Sequence, residues 1–246
     1  QADFLVGFAQ GGGDGVGIVG IDAAAREADL AGVGRQGLGA ARQQDAGLLA
    51  LDDAVGRVMT ALRESGKEEQ TLVLFVSDNG AALVKGSSEN GGSNAPLRGS
   101  KTHCWEGGIR VPFFVQWKSR WPAGRVIDDP VCTLDLLPTL LAAADFTPPA
   151  GQNLDGVNLL PWLDGKAGPP KREPLCFKMS GANLAIRDGD LKFVRVGSDS
   201  GLFNVRTDPN ETTDLSAKRP VITRQLQAKW QQWDKLSAVK AAPAKP

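Results

Sequence analysis

The chain has 246 residues, 41% of them hydrophobic and 23% charged, with a net charge of zero and a pI near 6.8. That length accommodates one large α/β domain or a medium domain with a smaller companion. The balanced charge leaves no footprint for nucleic acid or an anionic membrane as the main partner. No apolar run reaches the roughly 20 residues that span a bilayer, and no signal peptide is visible at Gln1.

Residues 1–47 stand apart in composition. Residues 1–50 hold 12 of the 30 glycines but no Lys, Pro, Trp or His. Ala, Gly, Arg, Asp and Val are the residues that GC-rich codons give out of frame, so 1–47 reads as a segment foreign to the fold. The remainder divides into 48–170 and 171–246. From about Leu48 the pattern becomes regular. Leu51, Val55, Val58, Met59 and Leu62 recur at helical spacing and predict an amphipathic helix over 48–64, ended by Ser65-Gly66-Lys67. Thr71–Val76 is a continuous apolar run, expected as a strand buried on both faces of a parallel sheet. Residues 80–108 form a long loop rich in Gly, Ser and Asn, of the kind that is usually functional or disordered.

Ile109–Trp117 is a second strand candidate, interrupted by Pro112. Thr133–Ala144 reads as a helix with Thr133 as N-cap and Pro138 as an internal irregularity. Residues 145–174, rich in proline and glycine, read as a surface connection. Leu184–Arg187 and Leu191–Val196 flank Asp188-Gly189-Asp190 and predict a hairpin, with Gly201–Val205 as an added strand. Val221–Leu236 is a terminal helix with Leu226, Trp230 and Trp233 on one side, followed by a disordered tail. Cys104, Cys132 and Cys176 lack C-x-x-C spacing and read as small hydrophobes.

Two stretches carry chemistry. Ser77-Asp78-Asn79-Gly80 follows the first strand, where ligands bind in open α/β sheets. Asp78 offers a carboxylate and Asn79 an amide carbonyl, hard donors that suit Ca²⁺ or Mg²⁺; a bare D-N-G is also a common turn. The second stretch runs from Leu97 to Pro112, and its Lys101 is a mobile cation able to hold an anionic group.

Together these stretches resemble the type I, formylglycine-dependent sulfatases, whose fold is similar to that of alkaline phosphatase. That family's strand–[S/T]-D-N-G is followed by R-G-x-K-x-x-x-[aromatic]-E-G-G-x-R-V-P, matched here by Arg98, Gly99, Lys101, Trp105, Glu106, Gly107, Gly108, Arg110, Val111 and Pro112. Further matches are Leu51–Arg57, Trp121–Gly124, Asp135–Thr139, Leu154–Asn158, Arg187–Lys192, Leu202–Val205 and Asp208–Leu215. The likeness spans about 48–236 and is strongest to arylsulfatase and N-acetylgalactosamine-6-sulfatase-like members, in their C-terminal portion.

The resemblance implies a partial alkaline-phosphatase-like α/β core with a small α+β C-terminal subdomain, built of an antiparallel hairpin and a terminal helix. It implies Ca²⁺ held in part by Asp78 and Asn79, and Lys101 in contact with the sulfate. His103, the single histidine, lies close enough in sequence to face the substrate. Arg98, Glu106, Gly107, Gly108 and Arg110 shape the loop. The partner implied is a sulfated small molecule or glycan, and the location periplasmic or secreted.

The family nucleophile is a formylglycine made from the Cys of C-x-P-S-R. No such motif occurs in these 246 residues. Cys104 is followed by Trp-Glu-Gly, Cys132 by Thr-Leu-Asp and Cys176 by Phe-Lys-Met. An early Asp pair and a histidine ahead of the S-D-N-G strand are also missing, and Asp52-Asp53 reads as solvated acids in a helix. The chain alone is therefore expected to be inactive. Two other readings are a non-catalytic truncated remnant and a phosphate or phosphonate monoester hydrolase of the same superfold. Gly15-x-Gly17-x-x-Gly20 matches a dinucleotide fingerprint, but inside a glycine-rich run and without the second strand such a site needs.

Overall fold

A computed structural model describes the backbone of residues 35–82, 93–149, 151–179 and 183–240, with side chains described from 47 to 237 within them. The Gly15–Gly20 motif and the tail beyond 240 lie outside the described residues. Two compact units are present. Among the described residues, one comprises 35–78 and 112–172, and the other 79–82, 93–111 and 173–240.

The first unit opens with α1, Arg35–Glu64, which starts well upstream of the expected 48. Val55, Met59 and Leu62 face inward at helical spacing and pack with Val73, while Leu51 of the same stripe is exposed. Gly66, at φ +69°, ends the helix. Its N–H bonds to Arg63 O and the Lys67 N–H bonds to Leu62 O, both at 3.0 Å, which is the Schellman pattern.

Strand β1, Val73–Val76, pairs antiparallel with β2, Phe113–Gln116, through Val73↔Gln116 to Val76↔Phe113. The expectation of a doubly buried parallel strand is corrected here: only Val73 of β1 is fully buried, and the partner strand runs the other way. Ile109 belongs to a preceding helical turn rather than to β2, because Pro112 cannot donate to a ladder and the strand begins after it.

A 3₁₀ turn, Thr133–Asp135, leads into helix Leu136–Ala143. Cys132, not Thr133, occupies the cap position of that turn. Pro138 is the third residue of the helix, where its missing N–H has no intrahelical partner to lose, so it causes no irregularity. The stretch read as a surface connection contains a further short helix, Leu160–Leu163, whose Leu160, Trp162 and Leu163 are buried. Leu159, Trp162 and Leu163 pack with Val115, Trp121 and Ile127.

Asp135 clamps this region. It is fully buried, its carboxylate accepts the N–H groups of Cys132 and Val157 at 2.9 Å each, and Arg172 lies 2.6 Å away. Thr139 Oγ1 donates to Asp135 O and accepts the Leu159 N–H. The sequence signatures at 135–139 and 154–158 are thus two halves of one structural clasp.

The second unit carries a four-stranded antiparallel meander: β3 (Leu175–Lys178), β4 (Leu184–Asp188), β5 (Leu191–Val196) and β6 (Asp199–Asn204). The β4–β5 hairpin turns at Gly189-Asp190 as expected, with Gly189 at φ +59°. β3 has no counterpart in the sequence reading. Period-two alternation divides the sheet into two apolar faces. Leu184, Ile186, Phe193 and Leu202 pack with Leu226, Ile222 and Trp230 of the terminal helix Pro220–Lys240. Ala185, Val194 and Phe203 pack with Cys104 and Trp105.

Candidate functional site

Asp78 follows β1 after one intervening residue, Ser77, and is exposed; Asn79 is half-buried. The antiparallel ladder continues up to this point, because the Ser77 N–H donates to Pro112 O at 3.1 Å. In the second unit, backbone bonds tie the residues after Asn79 to the Lys101 stretch. The Gly80 N–H donates to Gly108 O at 3.0 Å, and the Lys101 N–H to Ala81 O at 3.1 Å. The two motif stretches separated by the long loop are therefore joined through Gly80 and Ala81.

Lys101 occupies the tip of a tight turn, Ser100–His103, closed by the His103 N–H on Ser100 O at 2.9 Å. Lys101 and Thr102 are exposed. Thr102 has φ +73°, a conformation that β-branched residues rarely adopt and that costs about 1–3 kcal/mol. Its carbonyl accepts the Asn183 side-chain amide at 3.3 Å. His103 is half-buried, with Nδ1 3.4 Å from Ser100 Oγ. The structure places the histidine two residues from Lys101, held by the turn itself.

The turn rests on a helical turn, α2, Glu106–Ile109. A Cβ on Gly108 would lie 2.1 Å from His103 O and 2.5 Å from Ser100 O. One on Gly107 would lie 2.5 Å from Arg98 O, and one on Gly80 would lie 1.8 Å from Gly107 O. Only glycine admits such backbone-to-backbone approach. The E-G-G element is a bed against which 98–103 and Gly80 are pressed.

Arg98 stacks on the Trp105 ring, with its guanidinium carbon 3.7 Å from the centroid, and pairs with Asp199. The Arg110 N–H donates to Glu106 O at 2.7 Å, and its half-exposed guanidinium lies 3.8 Å from the Glu106 carboxylate. Arg98, Gly107 and Gly108 touch the 98–103 segment or belong to it, while the contacts of Arg110 go to Glu106. Glu106 is almost fully buried, and its carboxylate accepts from Lys192 Nζ at 2.8 Å.

Three organising residues escaped the sequence reading. Lys192 is fully buried on β5 between Glu106 and Glu211. Glu211 accepts the Glu106 N–H at 2.7 Å, and burial pushes its carboxyl above the usual range despite the adjoining Lys192 ammonium. Asn94 accepts the Ala81 N–H at 2.7 Å and donates to Ala81 O and Gly99 O. The one local signal was a lysine at an inward position of an apolar strand.

Asp78 and Asn79 fit a hard divalent cation in kind, as oxygen donors. They amount to two donors of the about six to eight that Ca²⁺ takes. Among the described residues, no group of three or more His, Cys, Asp or Glu side chains stands together. Formylglycine does not fit the cysteines present. Cys104 is fully buried, and burial pushes its thiol up to about 11; Cys176 is raised equally by burial.

Comparison with known proteins identifies the family. The sequence model of the Sulfatase family matches residues 20–146. Mouse (Mus musculus) steryl-sulfatase is 40% identical over 140 residues, covering 56% of this chain and 22% of its own. Dog (Canis lupus familiaris) N-acetylgalactosamine-6-sulfatase is 36% identical over 142 residues, covering 58% and 27%. The chain thus spans about a quarter of the length of these curated relatives. A solved structure described as Ps i-CgsB in complex with k-i-k-neocarrahexaose superposes with a TM-score of 0.72 at 30% identity, covering 85% of this chain and 46% of that one. The PsFucS1 sulfatase from Pseudoalteromonas sp. superposes at 0.66 with 24% identity, covering 82% and 44%. With the family model matching more than half of this chain, and its mixed α/β fold shared with a solved sulfatase, the chain belongs to the sulfatase family.

Proposed function

We propose that this chain supplies the sulfate-binding lysine and two cation donors of a sulfatase active site. Lys101 contacts the sulfate group of a sulfated glycan or small molecule. Asp78 and Asn79 contribute oxygens to a Ca²⁺ ion, which when bound supplies positive charge against the sulfate oxygens. The observation that carries this reading is the exposed Lys101 at the tip of a strained turn, hydrogen-bonded to Ala81, two residues beyond Asn79.

The chemistry of this chain's own residues is electrostatic. An ammonium beside the ester stabilises negative charge that moves onto the leaving alcohol more than it stabilises the ester itself. The turn holds the Lys101 backbone before substrate arrives, so only the side chain remains to be ordered on binding. His103, half-buried two positions after Lys101, is the nearest candidate in the sequence for a proton donor to the leaving oxygen. Substrate class follows the relatives: a sterol sulfate, a 6-sulfated N-acetylgalactosamine, or a glycan such as the D-glucosamine-2-N,6-O-disulfate that BT4656 binds as its substrate.

These residues supply no formylglycine nucleophile, because none of the three cysteines stands in C-x-P-S-R. The expectation for the chain as it stands is binding of aryl sulfate without turnover. Titration of inorganic sulfate in the presence of Ca²⁺ tests the reading. Lys101→Met is expected to weaken binding about tenfold, the size of one charge-assisted contact. Unchanged affinity in that variant sinks the assignment, and turnover of an aryl sulfate by the pure chain sinks the expectation of inactivity.

A further inference from the structure

Strand β5 alternates between the two faces of its sheet, and Lys192 shares the face of Val194. An apolar residue is expected there. The lysine is instead fully buried, with Nζ 2.8 Å from Glu106 Oε1 and 2.9 Å from Glu211 Oε1. Glu211 Oε2 also accepts the N–H of Glu106, the first residue of α2, whose donor has no partner inside the helix. Glu106 is therefore held at its backbone by one carboxylate and at its side chain by one ammonium. Two residues later, Gly108 lies under the carbonyls of Ser100 and His103, the two ends of the turn that bears Lys101.

We propose that Lys192 is a positioning residue for Lys101: through Glu106 it sets the height of α2, and α2 sets the height of the Lys101 turn. The proposal rests on the reading of Lys101 as the sulfate contact. Buried ion groups of this kind often stabilise no better than an apolar side chain of equal volume. What a methionine cannot do is hold two buried carboxylates toward one point. Without the ammonium the carboxylates repel, Glu106 moves away from Glu211, and Gly108 carries the turn with it. Lys192 itself touches no substrate.

The test is a double-mutant cycle in the full chain, read by inorganic sulfate titration and by the ring ¹⁵N resonances of His103. The chain's single histidine makes that signal unique and places it within the turn. Lys101→Met and Lys192→Met are each expected to lower sulfate affinity about tenfold, and the double variant no further than Lys101→Met alone, because coupled residues are not additive. Lys192→Met is also expected to shift the His103 resonances without sulfate. Should that variant not fold, Glu106→Gln takes its place; it keeps the shape and the backbone bond while weakening the ion pair. A folded Lys192→Met or Glu106→Gln with wild-type affinity and an unmoved His103 signal overturns the proposal, as do additive losses in the cycle. If Lys101→Met leaves sulfate affinity unchanged, the reading of Lys101 fails instead, and the His103 shift alone then decides the role of Lys192.

Discussion

Gly108→Ala is the sharpest perturbation of this loop. The added methyl lies 2.1 Å from His103 O and 2.5 Å from Ser100 O, where ordinary contact begins at 3.4 Å. The difference between 2.1 and 3.4 Å leaves about 1.3 Å for the backbone to make up. Both obstacles are carbonyls of a turn closed by its own hydrogen bond, so no side chain can rotate out of the way. Forcing extra methyl groups into packed sites costs about 1–3 kcal/mol, and backbone obstacles place this one at the upper end. The urea midpoint is expected to fall by the equivalent of about 2–3 kcal/mol, and the His103 ring signal to move. Sulfate affinity is expected to drop about tenfold or more, since a displacement near 1 Å is enough to spoil a placed contact. An alanine variant within about 0.5 kcal/mol of wild type, with His103 unmoved, would refute the reasoning that α2 is the bed of the Lys101 turn.

Three further outcomes are expected. Asp135→Ala should destabilise the first unit by about 3–5 kcal/mol in chemical denaturation, because Arg172 and two backbone N–H groups lose their shared acceptor; a loss below about 1 kcal/mol would deny the clasp. Cys104 should resist iodoacetamide at about pH 8 in the native state and react once unfolded, since only the thiolate attacks and burial holds the thiol near 11; native labelling seen by mass spectrometry counts against this. Glu211 faces Lys192 and Glu106, and burial raises its carboxyl above the ordinary 4.5. The folded state therefore binds its proton more tightly than the unfolded one. Its contribution to stability is full below about pH 4.5 and is lost as pH rises through the folded value. Glu211→Gln should flatten the urea midpoint over that rise, and an unaltered profile would remove the assignment.

The sequence showed best where structure is local. The helix through Val55, Met59 and Leu62, the hairpin around Gly189, the terminal helix and the S-D-N-G and E-G-G motifs all declare themselves within a few residues. The direction of β1 does not, because a short apolar run looks the same in a parallel and an antiparallel ladder. The helix at Leu160–Leu163 and strand β3 were hidden by neighbouring prolines. The ion group is the clearest case of long-range information. Glu106, Lys192 and Glu211 lie far apart along the chain; Glu106 and Glu211 each read as a surface charge, and only the inward position of Lys192 hints at burial. Likewise Asp135 and Val157 carry separate signatures whose common purpose is visible only when the carboxylate meets the distant N–H.

The Asn94 amide meets Ala81 in both directions, donating to its carbonyl and accepting from its N–H, as a neighbouring strand would. This side chain closes a loop at its neck. Closing a flexible segment of chain costs only about 0.6 kcal/mol more for each doubling of its length, so a pair of hydrogen bonds at the ends is a sufficient clasp. Lys101 hangs from the same Ala81 carbonyl. Ala81 is thereby the shared anchor of the Asn94 side chain and of the Lys101 backbone. One amide side chain thus takes the place of a strand rung, and Asn94→Ala would release Ala81, Gly99 and the Lys101 backbone together.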